Sequence, residues 1–381
     1  AIRRQRQMCI RDRLMRVLIY GFTGNVLGGI EVYTLNMSEY MSDDCVFDYI
    51  VDGDECAYRE RITKRGGKIF FVPWVRRHPL GYINKLWRIF GEEKKSGTNI
   101  LYHQLFTMSN LIPDVIAKLR GYKVILHAHN NGLQKGGRMY LMAHNLGKIL
   151  SRFCGFVMFT NSQLSSDYMF GKGVNSKLIY NAIDVGKFAF KQEHRDCIRK
   201  ELDCQSKTVI GFVGRLVDQK NPLFMLKVFA EIHKLRPNSE LWIIGEGILR
   251  GKMEVEINEQ GICSSVKWLG RREDVNRLMQ GMDLLLQPSV FEGLGIVLVE
   301  AQATGLAVVS SEVVIPKEAV ISDRIKLLPL SEKPAYWAAE SVNLLDSCCE
   351  SYDRTNAIVP DCYNIQHEAK RLESMLKELI S

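Results

Sequence analysis

The sequence predicts an α/β protein built from two successive doubly wound units, each with a parallel sheet at its centre. Short apolar runs recur along the chain without strict polar alternation, which is typical of strands buried on both faces. Stretches with helical periodicity separate these runs, and the whole pattern restarts after about residue 190. With 381 residues, of which 46% are apolar, the chain is long enough to form two hydrophobic cores.

The first unit is predicted to span residues 15–188. Its buried strands are expected at residues 16–22, 46–52, 68–74, 99–104, 123–130 and 156–162. The clearest helices between them are expected at residues 31–41, 110–120 and 138–153. Residues 1–14 are basic and lack periodicity, so we interpret them as a leader foreign to the native fold, with Met15 as the start.

The second unit is predicted to span residues 189–363, with a separate C-terminal helix over residues 364–381. Its strands are expected at residues 208–215, 240–247, 266–270, 283–289 and 306–312. Ligands of doubly wound sheets bind beyond the carboxyl ends of the strands. The loops that follow the strands are therefore the places where functional residues are expected.

Charge is distributed unevenly along the chain. Residues 15–190 carry a net charge of +8, whereas residues 191–381 carry a net charge of −4. A basic first half predicts an anionic surface near the first unit, either nucleic acid or the inner leaflet of a membrane. No nucleic-acid recognition motif is present, so nucleic-acid binding is not expected. The ten cysteines are scattered without zinc spacing, which favours reduced thiols in a cytoplasmic protein.

A pair of glycines follows the first predicted strand, in the stretch GFTGNVLGGIE. Gly28 and Gly29 open a predicted helix, where the backbone can approach a ligand closely and the helix terminus favours an anion. The spacing differs from the GxGxxG pattern of dinucleotide-binding proteins. A tight turn without a ligand is the alternative interpretation.

Two cations flank the loop after the first strand of the second unit, in GFVGRLVDQKNP. Arg215 and Lys220 can converge at the start of a helix, which suits a diphosphate whose charge they would neutralise. Ordinary surface solvation is the alternative for either side chain taken alone.

Two glutamates lie in FEGLGIVLVEAQATG, after another predicted strand. Glu292 precedes a helix that is predicted to begin near Leu294, and Glu300 lies within an apolar part of that helix. A buried carboxylate is costly unless it is paired, so both are candidates to accept hydrogen bonds from ligand hydroxyls. Gly295 and the first helical amides add a site for an anion. A capping glutamate and an exposed glutamate are the alternative interpretation.

These motifs together resemble a known family. The stretches GGIE, HAHNN, YNAID, GRLVDQKNP, GEG and FEGLGIVLVEAQATG are similar, in order and spacing, to those of the retaining glycosyltransferases of family 4. The resemblance covers residues 15–381 and is strongest to enzymes of bacterial capsule and exopolysaccharide assembly. It implies the GT-B fold, in which two Rossmann-like domains enclose the active site in a cleft.

The resemblance also implies roles for residues of the second unit. Arg215 and Lys220 would hold the nucleotide diphosphate, Glu300 would bind the ribose hydroxyls, and Glu292 would bind a hydroxyl of the donor sugar. The amides near Leu294 and Gly295 would contact the same sugar or its phosphate. The base would lie against the backbone of Arg271, in WLGRRED.

In the first unit, the resemblance implies that Gly28 and Gly29 line the donor phosphate. It also places a histidine of HAHNN near the donor sugar, where it could donate a hydrogen bond or influence charge at the anomeric carbon. Alternation along a strand puts His127 and His129 on one face. We favour His129 because it is closer to the loop, and we expect His127 to be a core residue.

A different metal-binding chemistry is conceivable at Asp52-Gly53-Asp54, which forms a D-x-D sequence. This is the metal-diphosphate motif of the other glycosyltransferase fold. Because Arg215 and Lys220 could neutralise the leaving diphosphate, we expect no metal and no cofactor, and we interpret both aspartates as structural.

Residues 74–95 mix aromatic and basic side chains, in WVRRHPLGYINKLWRIFGEEKK. One predicted helical face carries the apolar residues Leu80, Ile83, Leu86, Trp87 and Phe90. This face either packs on its own domain or lies on anionic lipid as an interfacial helix. Lipid contact would suit an acceptor carried on a polyprenyl chain, on the cytoplasmic face of the membrane.

The sequence therefore predicts a retaining hexosyl- or N-acetylhexosaminyltransferase that uses a nucleotide sugar, with UDP favoured. The expected acceptor is lipid-linked or an oligosaccharide. One alternative is a sugar-nucleotide epimerase on the same fold, which would release a changed sugar without an acceptor. A phosphorylase would carry a pyridoxal-binding lysine motif, which the sequence lacks. The other alternative is a non-catalytic protein that binds sugar nucleotides.

Overall fold

The computed structural model describes residues 14–24, 28–132, 137–312, 315–351 and 353–381. The predicted foreign leader, residues 1–14, lies outside this range except for its last residue. The chain forms two compact units. Unit 1 comprises the described residues up to Ile183 together with Asp361–Ser381, and unit 2 comprises Asp184–Pro360.

Unit 1 contains a parallel sheet of seven strands in the order β3-β2-β1-β4-β5-β6-β7. Every pairing in it is parallel, which confirms the predicted doubly wound architecture. Its strands are β1 (Met15–Tyr20), β2 (Cys45–Asp52), β3 (Ile69–Val72), β4 (Ile100–Leu105), β5 (Lys123–Ala128), β6 (Val157–Thr160) and β7 (Lys177–Leu178).

Helices cover both faces of this sheet. They are α1 (Gly29–Tyr40), α2 (Arg59–Lys64), α3 (Pro79–Lys95), α4 (Ile112–Leu119), α5 (Arg138–Phe153), α6 (Gln163–Met169) and the C-terminal helix, which is numbered α14 (Ile365–Glu378). Alternate residues of β1 belong to different cores, since Val17 packs on one face of the sheet and Leu18 on the other. A strand that is buried on both faces has no polar side, which is why the sequence shows continuous apolar runs.

The C-terminal helix α14 is part of unit 1. Its apolar side chains Ala369, Leu372 and Leu376 lie in the same core as Leu35 and Met37 of α1. A carboxylate at its start adds a polar link, because Glu368 accepts a hydrogen bond of 2.8 Å from the amide of Tyr180. The chain thus leaves unit 1 after residue 183 and returns to it at residue 361.

Unit 2 contains a parallel sheet of six strands in the order β10-β9-β8-β11-β12-β13. Its strands are β8 (Thr208–Val213), β9 (Ser239–Ile244), β10 (Val266–Gly270), β11 (Leu284–Gln287), β12 (Ala307–Ser311) and β13 (Ile325–Leu328). Its helices are α7 (Val185–Phe188), α8 (Gln192–Glu201), α9 (Pro222–Leu235), α10 (Arg250–Glu259), α11 (Val275–Gly281), α12 (Ile296–Ala303) and α13 (Pro334–Ser351).

The predicted strands are all present, with their ends shifted by a few residues. Two short strands were not predicted, namely β7 and β13, which lie at the edges of the two sheets. Edge strands are paired on one side only and need not be continuously apolar, so their sequences carry a weaker pattern. In the part of the chain that is described, no helix combines the length and the apolar character of a membrane span.

Candidate active site

The carboxyl edge of the unit 2 sheet gathers most of the predicted site residues. Strands β8 and β11 are neighbours in this sheet, so the loops that follow them lie side by side. The first loop carries Arg215 and Lys220, and the second carries Glu292. Arg271 follows β10 at the same edge and is exposed. The structure therefore places these four residues at one end of the sheet.

Lys220 and Glu292 form an ion pair. The Lys220 Nζ atom lies 2.5 Å from the Glu292 Oε1 atom, and both side chains are largely buried. The hydroxyl of Ser289 donates a second hydrogen bond of 2.6 Å to the same oxygen. Among the described residues, none bonds to the other carboxylate oxygen, Oε2, which is therefore available to accept a hydrogen bond from a ligand hydroxyl.

Lys220 is positioned by a short 3₁₀ turn, Asp218–Lys220. Asn221 adopts a left-handed backbone conformation with a φ angle of 52°, and Pro222 begins α9 directly afterwards. The fixed φ angle of proline suits the first position of a helix, so the sequence KNP ends the turn and starts α9 within two residues. The lysine is thus held at the beginning of α9, as the sequence predicts.

Gln219 connects the two loops. The side-chain NH₂ group of Gln219 donates to the backbone carbonyl of Phe291 at 3.1 Å. The backbone carbonyl of Gln219 accepts from the amide of Val290 at 2.8 Å. Its side-chain oxygen also accepts a hydrogen bond of 3.3 Å from the Arg215 guanidinium. Gln219 therefore fixes the loop of the cations against the loop of Glu292. Sequence analysis missed both Gln219 and Ser289, although each lies within three residues of a predicted site residue.

The helix after Glu292 begins later than predicted. Helix α12 starts at Ile296, not near Leu294, because Gly295 adopts a left-handed conformation with a φ angle of 78°. Such a conformation is readily accessible to glycine and disfavoured for residues with a side chain. The side chain of Leu294 is buried, so only its backbone could face a ligand. The first amides of α12 remain a candidate site for an anion.

Glu300 is the fifth residue of α12 and lies between the buried residues Val299 and Ala301. Burial raises the pKa of its carboxyl group to about 8. In the described part of the chain, no hydrogen bond or ion pair to this carboxyl group is found. It differs in this respect from Glu292, whose charge is balanced by Lys220. A carboxyl group without a protein partner is suited to receive hydroxyl donors from a ligand.

In unit 1, His129 is the first residue after β5. Its ring lies beside that of His127, with centroids 3.9 Å apart, which confirms that both side chains occupy one face. The Nε2 atom of His129 is 2.5 Å from the side-chain oxygen of Gln104, and its buried Nδ1 atom has no hydrogen-bond partner among the described residues. Burial lowers the pKa of His129 to about 3, so the ring is neutral at physiological pH. It can accept or donate a hydrogen bond there, but it carries no charge.

His127 is completely buried and bonds to the hydroxyl of Tyr102 at 2.7 Å. Burial also lowers the pKa of His127 well below its usual value. These contacts agree with its interpretation as a core residue. The assignment of His129 to the donor sugar stays a prediction.

Gly28 and Gly29 are found at the start of α1, where Gly28 is the residue preceding the helix. The first turn of α1 also contains Glu31, whose carboxylate accepts hydrogen bonds from the amide and hydroxyl of Thr23. The helix terminus thus has an anionic side chain of its own close by. The proposed contact of both glycines with a phosphate stays a prediction.

The two aspartates of the D-x-D sequence occupy different environments. Asp52 is the last residue of β2 and accepts a hydrogen bond of 3.3 Å from the Tyr20 hydroxyl, while Asp54 is exposed. Burial raises the pKa of Asp52. Among the described side chains, no group of three or more His, Cys, Asp or Glu residues is arranged to hold a metal ion. Metal independence itself stays a prediction.

The fold and these residues define a class of protein, the glycosyltransferases with the GT-B fold. Residues 195–377 match the family model described as "Glycosyl transferases group 1". The chain also superposes on the crystal structure of Anabaena Alr3699/HepE in complex with UDP and glucose, with a TM-score of 0.77 and 18% sequence identity. That superposition covers 95% of this chain and 99% of the other.

Named relatives agree with this class. The chain is 28% identical over 341 residues to EpsF of Bacillus subtilis (strain 168), which is named as a glycosyltransferase, and the match covers 86% of each protein. It is 23% identical over 261 residues to an Escherichia coli enzyme named UDP-Gal:alpha-D-GlcNAc-diphosphoundecaprenol alpha-1,3-galactosyltransferase. That match covers 65% of this chain and 66% of the relative. These findings together support a glycosyltransferase with the GT-B fold.

Proposed function

We propose that the protein transfers a sugar from a UDP-linked donor to an acceptor hydroxyl with retention of the anomeric configuration. The observation that carries this proposal is the Lys220–Glu292 ion pair at the carboxyl edge of the unit 2 sheet, beside Arg215. Such a site offers cations for a diphosphate and a carboxylate for a sugar hydroxyl within a few ångströms of each other. The description of the HepE structure as a complex with UDP and glucose supports the choice of nucleotide.

In this proposal Arg215 and Lys220 neutralise the diphosphate as it leaves. The bond between the anomeric carbon and the diphosphate oxygen breaks, and the acceptor oxygen bonds to the same carbon on the same face. The acceptor proton passes to the leaving phosphate oxygen, so no carboxylate base is required. Glu292 accepts a hydrogen bond from the donor sugar, and Glu300 accepts from the ribose hydroxyls. His129, as a neutral imidazole, hydrogen-bonds the donor sugar.

Gly28 and Gly29 approach the donor phosphate, and the amides at Leu294 and Gly295 contact the sugar or its phosphate. The base lies against the backbone of Arg271. Charge neutralisation by the two cations makes the reaction independent of metal and cofactor.

For the acceptor we propose a lipid-linked saccharide in polysaccharide assembly. This follows from the Escherichia coli relative, whose name specifies a diphosphoundecaprenol acceptor, and from the similarity to EpsF. A hexose or an N-acetylhexosamine is the expected transferred group. The reaction is proposed to occur in the cytoplasm.

The donor site can be tested without knowledge of the acceptor. The protein is incubated with UDP-, GDP- and ADP-sugars in the presence of a chelator, and released nucleotide, sugar identity and thermal shift are measured. One UDP-sugar is expected to stabilise the protein and to be slowly hydrolysed. The variants Lys220→Ala and Glu300→Ala should lose both effects, whereas Lys227→Ala, which changes an exposed lysine of α9, should keep them.

Other results would favour the alternatives. A changed sugar that stays attached to its nucleotide would indicate an epimerase. Stabilisation without any hydrolysis or transfer, even with lipid-linked acceptors, would indicate a binding protein. A folded sample that responds to no nucleotide sugar would contradict the proposal.

A further inference from the structure

Helix α5 of unit 1 turns its apolar face outward and its polar face towards the domain. Its outward side chains recur at spacings of three and four residues, so they form one stripe along the helix. The stripe is apolar, and the exposed fractions of Met139, Met142 and Phe153 are 85%, 70% and 84%. Leu146 and Ile149 continue it and are also exposed. An exposed apolar stripe of this length is unusual for a helix that only packs on its own domain.

The inward face of α5 is polar or small, which fixes the orientation of the helix. His144 accepts a hydrogen bond of 3.2 Å from the amide of Met108, and Ser151 is completely buried. Gly147 packs directly on the backbone, because a Cβ atom at this position would lie 2.0 Å from the Met108 carbonyl oxygen. Rotation of the helix would break these contacts. The apolar stripe therefore faces outward as a result of specific packing.

The stripe continues into an apolar groove of about 350 Å³. The groove is lined by side chains of three helices, including Ile83 of α3, Val115 of α4, and Leu146 and Leu150 of α5. All four of these side chains are at least one third exposed. The outward face of α5 and the neighbouring edges of α3 and α4 thus form one continuous surface, which we call the α5 surface.

The α5 surface lies in a strongly basic part of the chain. Residues 115–166 contain no aspartate or glutamate, and their basic residues are Lys118, Arg120, Lys123, Lys135, Arg138, Lys148 and Arg152. Lys118 at the end of α4 and Arg138 at the start of α5 are exposed, as is Lys85 on α3. The helix that carries the apolar stripe therefore belongs to a stretch of the chain that holds exposed cations and no acidic residue.

The predicted interfacial segment, residues 74–95, contributes less of this surface than the sequence indicated. Leu86 and Phe90 are completely buried in the core of unit 1, so the expected single apolar face is divided. Leu80, Ile83 and Trp87 remain exposed. Packing on its own domain, one of the two alternatives for this helix, applies to Leu86 and Phe90, while lipid contact by its exposed residues stays a prediction. The larger exposed apolar face belongs to α5, which sequence analysis did not select.

We propose that the α5 surface docks on a membrane that contains anionic lipids. A helix with an apolar face and flanking cations lies at the lipid interface, where its side chains enter the acyl region and its cations meet headgroup phosphates. A second copy of this chain would bring two basic surfaces together, which electrostatic repulsion opposes. Docking would bring a lipid-linked acceptor close to unit 1. This consequence rests on the proposed function, whereas the docking itself does not.

The proposal is tested by sedimentation of the full chain with vesicles. One set contains phosphatidylcholine alone, and the other contains about 30% phosphatidylglycerol. Binding is expected only to the anionic set and should weaken as salt is added. The double variant Met142→Ser/Phe153→Ser should bind at least about tenfold more weakly, because two apolar side chains are lost from the interface. Lys118→Gln should lower binding about fivefold, as the loss of one cation predicts.

Matched controls are available in unit 2. Ile248 and Ile358 are exposed to the same degree as the stripe residues, so Ile248→Ser/Ile358→Ser should leave vesicle binding unchanged. Thermal unfolding and UDP binding are measured on each variant, which separates loss of docking from loss of the fold or of the donor site.

Three outcomes would overturn the proposal. The first is equal binding to both vesicle sets or to neither, and the second is binding that the stripe variant retains. The third is a dimer in solution that the stripe variant dissociates, since the α5 surface would then be the contact between two copies. None of these results would affect the donor-site experiment, because that assay contains no lipid.

Discussion

The Nζ atom of Lys220 lies 2.5 Å from the Oε1 atom of Glu292, so the charges of this lysine and this buried carboxylate balance each other. A diphosphate would compete with Glu292 for this lysine. Ser289 donates to the same oxygen at 2.6 Å and would hold the carboxylate in place when the lysine moves. In the proposed function, donor binding would therefore free a carboxylate that can receive a hydroxyl of the sugar.

Replacement of Lys220 by methionine should lower both stability and activity. The loss of the cation leaves the Glu292 carboxylate buried without its partner, and the free energy of unfolding is expected to fall by about 3 kcal/mol. Urea unfolding measures this change, and Lys227→Met, which removes an exposed lysine, serves as control.

The double variant Lys220→Met/Glu292→Gln separates the two effects. It removes both charges, so most of the lost stability should return while activity stays absent. If the double variant were as unstable as Lys220→Met, the ion pair would not be the cause of the lost stability.

Replacement of Ser289 by alanine should affect turnover more than nucleotide binding. Ser289 contacts Glu292 and is proposed to act through it, so kcat is expected to fall about tenfold, the usual effect of one hydrogen bond to a charged group. The dissociation constant for UDP, measured by calorimetry, should not change. Ser289→Thr retains the hydroxyl and should recover much of the activity. Equal loss of UDP binding would mean that the serine supports the whole site.

Replacement of Glu300 by glutamine should stabilise the ligand-free protein at high pH. The native state keeps the carboxyl proton up to a pKa of about 8, whereas the unfolded chain releases it near 4.5. Between these values the native state binds more protons, so its stability falls as pH rises through this window. The variant lacks this titration. Its melting temperature should therefore exceed that of the wild type at about pH 9 and match it near pH 4.

The same variant should bind UDP more weakly, since ribose hydroxyls that donate to Glu300 would lower its pKa and let it accept as a carboxylate, which is a stronger acceptor than an amide. Glu259→Gln changes an exposed glutamate and should alter neither property. A melting temperature of Glu300→Gln that follows the wild type at every pH would contradict the raised pKa.

Replacement of Gly147 by alanine should destabilise unit 1. Alanine favours a helix by about 1 kcal/mol over glycine, but its Cβ atom would collide with the Met108 carbonyl, and such overpacking costs about 2 kcal/mol or more. Unfolding in urea measures the difference. Gly251→Ala, inside α10, is the matched control, because among the described residues a Cβ atom at Gly251 has no neighbour within 4 Å. A fully tolerated Gly147→Ala would show that the inward face of α5 is not fixed by this contact.

Much of the fold could be predicted from the sequence because its signals are local. The apolar runs that form β1 and β8 are buried on both faces, and such runs are recognisable without knowledge of their partners. The boundary between the units was placed five residues late, and α14 was not assigned to unit 1. Its attachment depends on Leu372 and Leu376, which pack in the same core as Leu35 and Met37, more than three hundred positions earlier in the chain.

The residues of the candidate site were predicted from the sequence, but the contacts between them were not. The motifs located Lys220, Glu292 and Glu300, whose separation along the chain is fixed by the sequence. Their different electrostatic states were not foreseen. Glu292 pairs with a cation that is 72 positions away, whereas Glu300 pairs with none of the described residues and burial raises its pKa to about 8.

The sequence by itself determined two parallel-sheet units, the loops that carry the candidate site, and the chemical types of its residues. Only the tertiary structure decided which carboxylate is paired, that Gln219 joins the two loops, and that α5 turns its apolar face outward. The physical reason is that periodicity records which side chains share a face of a helix, not which face is buried. For α5 that choice depends on the close packing of Gly147 against Met108, a contact between residues that are far apart in the chain.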